Sequence, residues 1–97
     1  MVAHAAPPII LGAGGQSCGT WTAEQGGDAR FLYGQWLLGY ISAFNRWYAV
    51  DLNILQGTDG NGLIAWMNNY CATHPLDAIE TAAVHLIGEL SRGYTHR

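Results

Sequence analysis

Among side chains able to bind metal, move protons or attack a carbonyl, the sequence offers four histidines, two cysteines, seven acids and three serines. His74, His85 and His96 follow one another at intervals of 11 residues, close to a whole number of helical turns, with His4 apart from them. On one helix that interval still rises about 16 Å, whereas the ligands of a single zinc each lie about 2 Å from it, so these histidines cannot share an ion. They read as isolated surface or helix-end residues, and no metal site is expected. Ser17, Ser42 and Ser91 lack the glycine-flanked elbow that exposes a nucleophile. Asp77 and Glu80 stand where the positive end of a helix attracts acids in any protein. Gly12-Ala13-Gly14-Gly15 has the look of a phosphate-binding loop, but Ser17 occupies the sixth position and no acid follows at the required distance. Asp59-Gly60-Asn61 opens like a calcium loop, yet Leu63 and Tyr70 fall where ligands belong. The expectation is a chain with no catalytic residues and no cofactor.

With 97 residues there is room for one domain and not for two. A chain this short buries only about two thirds of its unfolded surface, so some added restraint is expected. Cys18 and Cys71 are the only cysteines. They suit one disulfide in an oxidising compartment, with two buried thiols in a cytosolic protein as the alternative. A bridge would close a loop of about 54 residues, for which chain entropy predicts about 4 kcal/mol of stabilisation. The opening Met1-Val2-Ala3-His4-Ala5-Ala6-Pro7-Pro8 looks like the end of a secretory signal, with Ala3-His4-Ala5 as a small-x-small cleavage pattern.

Hydrophobic residues make up 49% of the chain and charged residues 11%, against a usual charged share of about 25%. This is a globular composition with an unusually uncharged surface. Arg30, Arg46, Arg92 and Arg97 are the only strong bases, lysine is absent and the formal charge is −3, so nucleic acid is not an expected partner. The longest uncharged run in the helical part, Phe31 to Asn45, is 15 residues with Tyr, Gln, Ser and Asn inside it. Crossing a bilayer takes about 20 apolar residues, so no membrane span is expected.

Residues 6–20 carry two prolines and four glycines, which favour an extended arm over helix. The arm is taken as residues 1–16, the domain as 17–92 and the tail as 93–97. A first helix is expected from an Asp28 N-cap toward Arg46. Its polar strip is Asp28, Gln35, Gly39, Ser42 and Arg46, and its remaining arc, including Phe31, Leu32, Trp36, Leu37, Leu38, Tyr40, Ile41 and Phe44, is apolar enough to be covered on more than one side. A second helix should run from about Gly60 to Thr73 behind a turn at Gly57-Thr58-Asp59, with Leu63, Met67, Tyr70 and Cys71 on packed faces. Pro75 ends it. A third runs from Leu76 to about Ser91, with Leu76, Ile79, Ala83, Leu86 and Leu90 inward, Asp77 and Glu80 at its positive end and Gly93 as terminator. The fold class is all-α, a small bundle of three or four helices with an extended N-terminal arm and one disulfide.

The pattern of Cys18, then Leu37-Leu38-Gly39-Tyr40-Ile41-Ser42-Ala43-Phe44-Asn45, then Leu63 to Cys71, His74-Pro75, Ala82-Ala83 and Leu86 to Leu90 resembles the small exported helical proteins of the HdeA/HdeB acid-chaperone type and the related Rap/Tai-type immunity proteins. The resemblance covers residues 17–92. It implies a disulfide between Cys18 and Cys71 and a periplasmic location. Gly39 through Asn45 is similar to the first-helix core of both branches, while Leu63 through Pro75 is closer to the immunity branch, which often carries a second cysteine pair that Ser91 to Arg97 here lacks.

Two functions follow as expectations. One is a periplasmic or secreted, non-enzymatic protein that binds a partner protein, as an inhibitor of a toxin or an accessory subunit, with a homodimer as a further possibility. Its contact residues would be Tyr33, Trp36, Tyr40, Trp47, Tyr48 and Trp66, since Trp and Tyr concentrate binding energy. The alternative is an acid-activated chaperone, for which protonating every acid and histidine would carry the formal charge from −3 to about +8.

Overall fold

A computed structural model describes residues 6–49 and 51–95. The expected cleavage pattern Ala3-His4-Ala5, His4 itself, Val50 and His96 lie outside the described residues. The elements are a 3-10 turn η1 (Gly12–Gly15) and four helices: α1 (Cys18–Glu24), α2 (Arg30–Trp47), α3 (Gly60–Thr73) and α4 (Ile79–Thr95). The expected all-α bundle with its Cys18–Cys71 disulfide is what the chain forms.

The first correction falls on residues 12–24. Prolines and glycines argued for an extended arm, but Ser17 adopts an extended N-cap conformation and its hydroxyl accepts the Thr20 N–H at 3.1 Å. That satisfies an orphan donor and starts a helix which the glycine content had masked. Before it, Gly12 sits at φ +82°, a conformation that suits glycine, and turns the chain into η1. Gly14 is buried beneath Trp36, whose indole N–H donates to the Leu11 carbonyl at 3.0 Å. Part of the stretch read as an arm is therefore seated on α2.

α1 also carries Trp21, which is fully buried and donates its indole N–H to Asn68 Oδ1 at 2.8 Å. Its neighbour Cys18 bridges to Cys71 on α3, with Cα atoms 4.8 Å apart across a sequence separation of 53. Three backbone bonds reinforce the bridge: Cys18 N–H to Asp77 O at 2.7 Å, Gly19 N–H to Pro75 O at 2.9 Å and Ile79 N–H to Gln16 O at 2.8 Å.

Those bonds explain the second correction. Leu76 fits the inward spacing of the last helix, but residues 74–78 are bonded to the start of α1, so α4 begins only at Ile79 and Leu76 is 96% exposed. Asp77 consequently lies before the helix, and its carboxylate accepts the Tyr70 hydroxyl at 2.6 Å. Ile79, Ala82, Ala83, Leu86 and Ile87 form the buried face, and α4 continues through Gly93 to Thr95 instead of stopping there.

α2 begins after turns in which Arg30 N–H meets Gly27 O and Phe31 N–H meets Asp28 O, both at 3.3 Å. The Asp28 main-chain carbonyl is thus engaged, and the N-cap position is Ala29 with no side-chain cap. At the other end Asn45 Oδ1 accepts the Ile54 N–H at 2.8 Å and holds the connecting turn so that Ile54 is buried. α3 has the expected bounds, with Asp59 Oδ1 accepting the Gly62 N–H at 2.8 Å. The core gathers Trp21, Leu37, Ile41, Ile54, Met67, Ile79 and Leu86 around the disulfide.

Three outcomes are expected. Replacing Cys18 and Cys71 together by Ala should lower unfolding stability by about 4 kcal/mol in urea titration, the loop-closure entropy of a bridge this long. A Cβ on Gly14 would stand 2.1 Å from Trp36 ring carbons, so Gly14→Ala should destabilise by about 1–3 kcal/mol through overpacking. Gly88→Ala, where nothing lies within 4 Å, should stabilise by up to ~1 kcal/mol through helix propensity in the same assay.

Candidate interaction surface

The expected contact residues divide between two places. Tyr33, Trp36, Tyr40, Trp47 and Tyr48 all belong to α2 or its C-cap, whereas Trp66 belongs to α3. At about 100° per residue, Tyr33, Trp36, Tyr40, Phe44 and Trp47 fall within an arc of about 80°, next to the inward stripe of Gly34, Leu37 and Ile41. One helix therefore carries two adjacent apolar stripes, and only one of them is in the core.

The stripe is anchored at its centre and open at its ends. Trp36 and Tyr40 stack at 4.9 Å between ring centroids, with η1 over the indole and the Tyr40 hydroxyl donating to Glu80 of α4. Phe44 and Tyr48 form a tilted pair at 5.6 Å. Beyond these supports Trp47 is 72% exposed, Tyr48 81% and Leu32 73%. Expecting this helix to be covered on more than one side is thus corrected at both ends. α2 has only η1, α1, α3 and α4 to pack on, and these elements leave Phe31, Leu32 and Trp47 uncovered. Arg30 lies over the Phe31 ring at 4.5 Å and Arg46 over Trp47 at 5.4 Å, so the charges ending the uncharged run rest on aromatic faces.

Two clefts flank the stacked pair. One, of about 240 Å³, is lined by Tyr40, Ala43, Phe44, Trp47 and Tyr48. The other, about 550 Å³, lies between Leu32, Tyr33 and Trp36 and the η1 residues Gly12 and Ala13. Leu32, Ala43 and Phe44 were missing from the expected contact set. Their spacing of three and four residues from Trp36, Tyr40 and Trp47 was the available signal.

Trp66 belongs to a separate ring cluster. It stacks on Tyr70 at 5.3 Å, and Tyr70 stacks in turn on His74 at 4.0 Å and on His85 at 5.3 Å. Two of the regularly spaced histidines are thus neighbours of one tyrosine. His74 Nδ1 lies 2.9 Å from the Tyr70 carbonyl oxygen. Among the described residues no group of three or more His, Cys, Asp or Glu could hold a metal ion, and no helix is long and apolar enough to cross a membrane.

The electrostatics of both clusters favour neutral donors. Burial, reinforced by Glu80, pushes the Tyr40 hydroxyl up to about 12, and the hydrogen bond to Asp77, reinforced by burial, does the same for Tyr70. Each phenol is a fixed donor to a carboxylate on or just before α4, so both act as ties between helices. A phenol that holds its proton this firmly is poorly suited to act as a base or nucleophile near neutrality. Compared with known proteins, the chain matches no family model, no curated protein and no solved structure.

The raised values set a pH dependence. Each tyrosine binds its proton more tightly folded, near 12, than unfolded, near 10. Their stabilising contribution should therefore be complete below about pH 10 and be lost as pH rises through about 12. Spectrophotometric titration should show Tyr40 and Tyr70 ionising late, and Tyr40→Phe and Tyr70→Phe should each remove one late step.

Proposed function

We propose that this is an exported, non-enzymatic protein that works by binding another protein through the aromatic face of α2, as an inhibitor of a secreted toxin or an accessory subunit of a periplasmic complex. The observation that carries the reading is the pair Trp47 and Tyr48, 72% and 81% exposed beside an apolar cleft at the end of a helix with no charge between Arg30 and Arg46. Large rings that stay in water while their neighbours pack are the residue types on which contact energy concentrates, and the uncharged stretch 31–45 leading up to them can be desolvated at little cost, with Arg46 resting on the Trp47 ring. Trp36 and Tyr40, held by η1 and by Glu80, give that surface a fixed shape before any partner arrives, which lowers the entropy lost on association.

The export part of the reading is supported by the single disulfide, whose two cysteines are buried and whose presence suits an oxidising compartment. The resemblance of residues 39–45 to both the acid-chaperone and the immunity branch, and of residues 63–75 to the Rap/Tai-type immunity branch, supports the same reading. Trp66 is set aside from the contact surface because it stacks within the Tyr70 cluster.

Affinity purification from periplasm should recover one stoichiometric partner. Trp47→Ala and Tyr48→Ala should each weaken its binding by about 10-fold or more while leaving thermal unfolding nearly unchanged, since exposed rings contribute little to the fold. Partner binding that survives both substitutions would remove this face from the reading.

A further inference from the structure

We propose that the cleft between the first half of α2 and the first turn of α3 binds a small apolar carboxylic acid, with Arg30 receiving the carboxylate. The inference goes beyond the protein-binding reading and uses a different face of α2. At about 100° per residue, Arg30, Gly34, Leu38, Phe31 and Gln35 span an arc of about 140°. That arc lies on the far side of the core residues Leu37 and Ile41 from the aromatic rings.

The cleft holds about 270 Å³, and Phe31, Leu38 and Ile64 form its apolar lining. Gly34 and Gly60 leave it open, since a Cβ on the first would stand 3.4 Å from Ile64 Cδ1 and one on the second 3.4 Å from Leu38 Cδ1. Drug-sized ligands occupy about 300–1,000 Å³, so this space suits one short chain or one ring. The remaining lining is polar. Arg30 is its one charged member, and no acid lines the cleft. Among the described residues Arg30 has no ion-pair partner, and the Gln35 and Asn61 amides have no hydrogen-bond partner. The guanidinium touches only the Phe31 ring, at 4.5 Å, and the Gly27 carbonyl, at 3.3 Å, and neither neutralises it.

The position of Arg30 runs against local preference. It is the first residue of α2, where the positive end of the helix disfavours a cation, and no acid stands in that first turn. Gly60 and Asn61 bring the positive end of α3 to the same cleft. The acids closest along the chain do not line it: Asp28 is exposed, and the Asp59 carboxylate accepts the Gly62 N–H at 2.8 Å. A departure from local preference with no gain to the fold marks a functional position. An anion with an apolar body resolves it. The guanidinium offers a carboxylate paired donors, the free amides offer more, and the tail enters the apolar lining.

The experiment is amide-resolved NMR titration of the full chain with sodium octanoate, with octanol as the uncharged probe and acetate as the probe without a tail. Octanoate is expected to shift the Phe31, Gly34, Gly60 and Asn61 amides to saturation, with a dissociation constant on the order of 1 mM. Octanol and acetate should each bind at least about 10-fold more weakly. Arg30→Gln should weaken octanoate about 10-fold or more with melting nearly unchanged, whereas Arg46→Gln, at the other end of α2, should bind as wild type does. No saturating shift at those amides, octanol as tight as octanoate, or undiminished binding by Arg30→Gln overturns the proposal. So does a response centred on Trp47 and Tyr48. Trp47→Ala should leave octanoate binding intact, so this site and the protein-binding face stand or fall separately.

Discussion

The junction where Cys18, at the first turn of α1, meets Cys71, near the end of α3, sets the geometry of everything else in the molecule. The sulfur bridge is one part of it. Three main-chain hydrogen bonds connect residues 16–19 to residues 75–79, so the start of the first helix and the connection between the last two are fastened side by side. Trp21 is enclosed directly above this junction, and its indole proton reaches Asn68 across the same pair of helices. A short chain with 11% charged residues has few other ways to limit its unfolded freedom, and here covalent and main-chain restraints converge on one place.

From that junction α2 is positioned by contacts along its middle and near its C-terminal end. Leu37 and Ile41 enter the core, Trp36 is gripped by η1, Tyr40 is tied to Glu80, and Asn45 organises the turn that buries Ile54. With these attachments made, the helix has spent one apolar stripe on the interior and presents part of a second to water. The aromatic surface thus follows from a mismatch of supply and cover. The helix supplies more ring area than three neighbouring helices and a four-residue turn can shield.

Local signals made much of this legible. The α3 bounds follow from the Asp59 cap and the break before Pro75, both of which act within one turn and need no knowledge of the rest of the fold. The inward set Ile79, Ala83 and Leu86 follows from helical spacing. What spacing could not give was anything decided by a distant segment. Leu76 fits the periodicity, yet the bonds from Cys18 and Gly19 hold its segment outside the helix. The glycines flanking α1 outweigh its single serine cap as a local signal, and Asp28 does not cap α2 because a preceding turn already satisfies the donors it would bind. For the surface, the wheel gave the direction of each ring on α2 but not which rings η1 would cover, since Gly14 has no side chain to announce that it lies under Trp36.

The bridge between Cys18 and Cys71 also encloses the whole of α2 and the turn that follows it within one covalent ring. A peptide bond cut in the exposed residues 51–53 would open the ring without releasing a fragment, because each piece would still be joined to the other through sulfur. The nicked chain would keep α1 and α2 on one piece and α3 and α4 on the other, fastened where the main-chain bonds already align them. In surroundings rich in proteases, such a molecule can be wounded at this exposed turn and still stay in one piece.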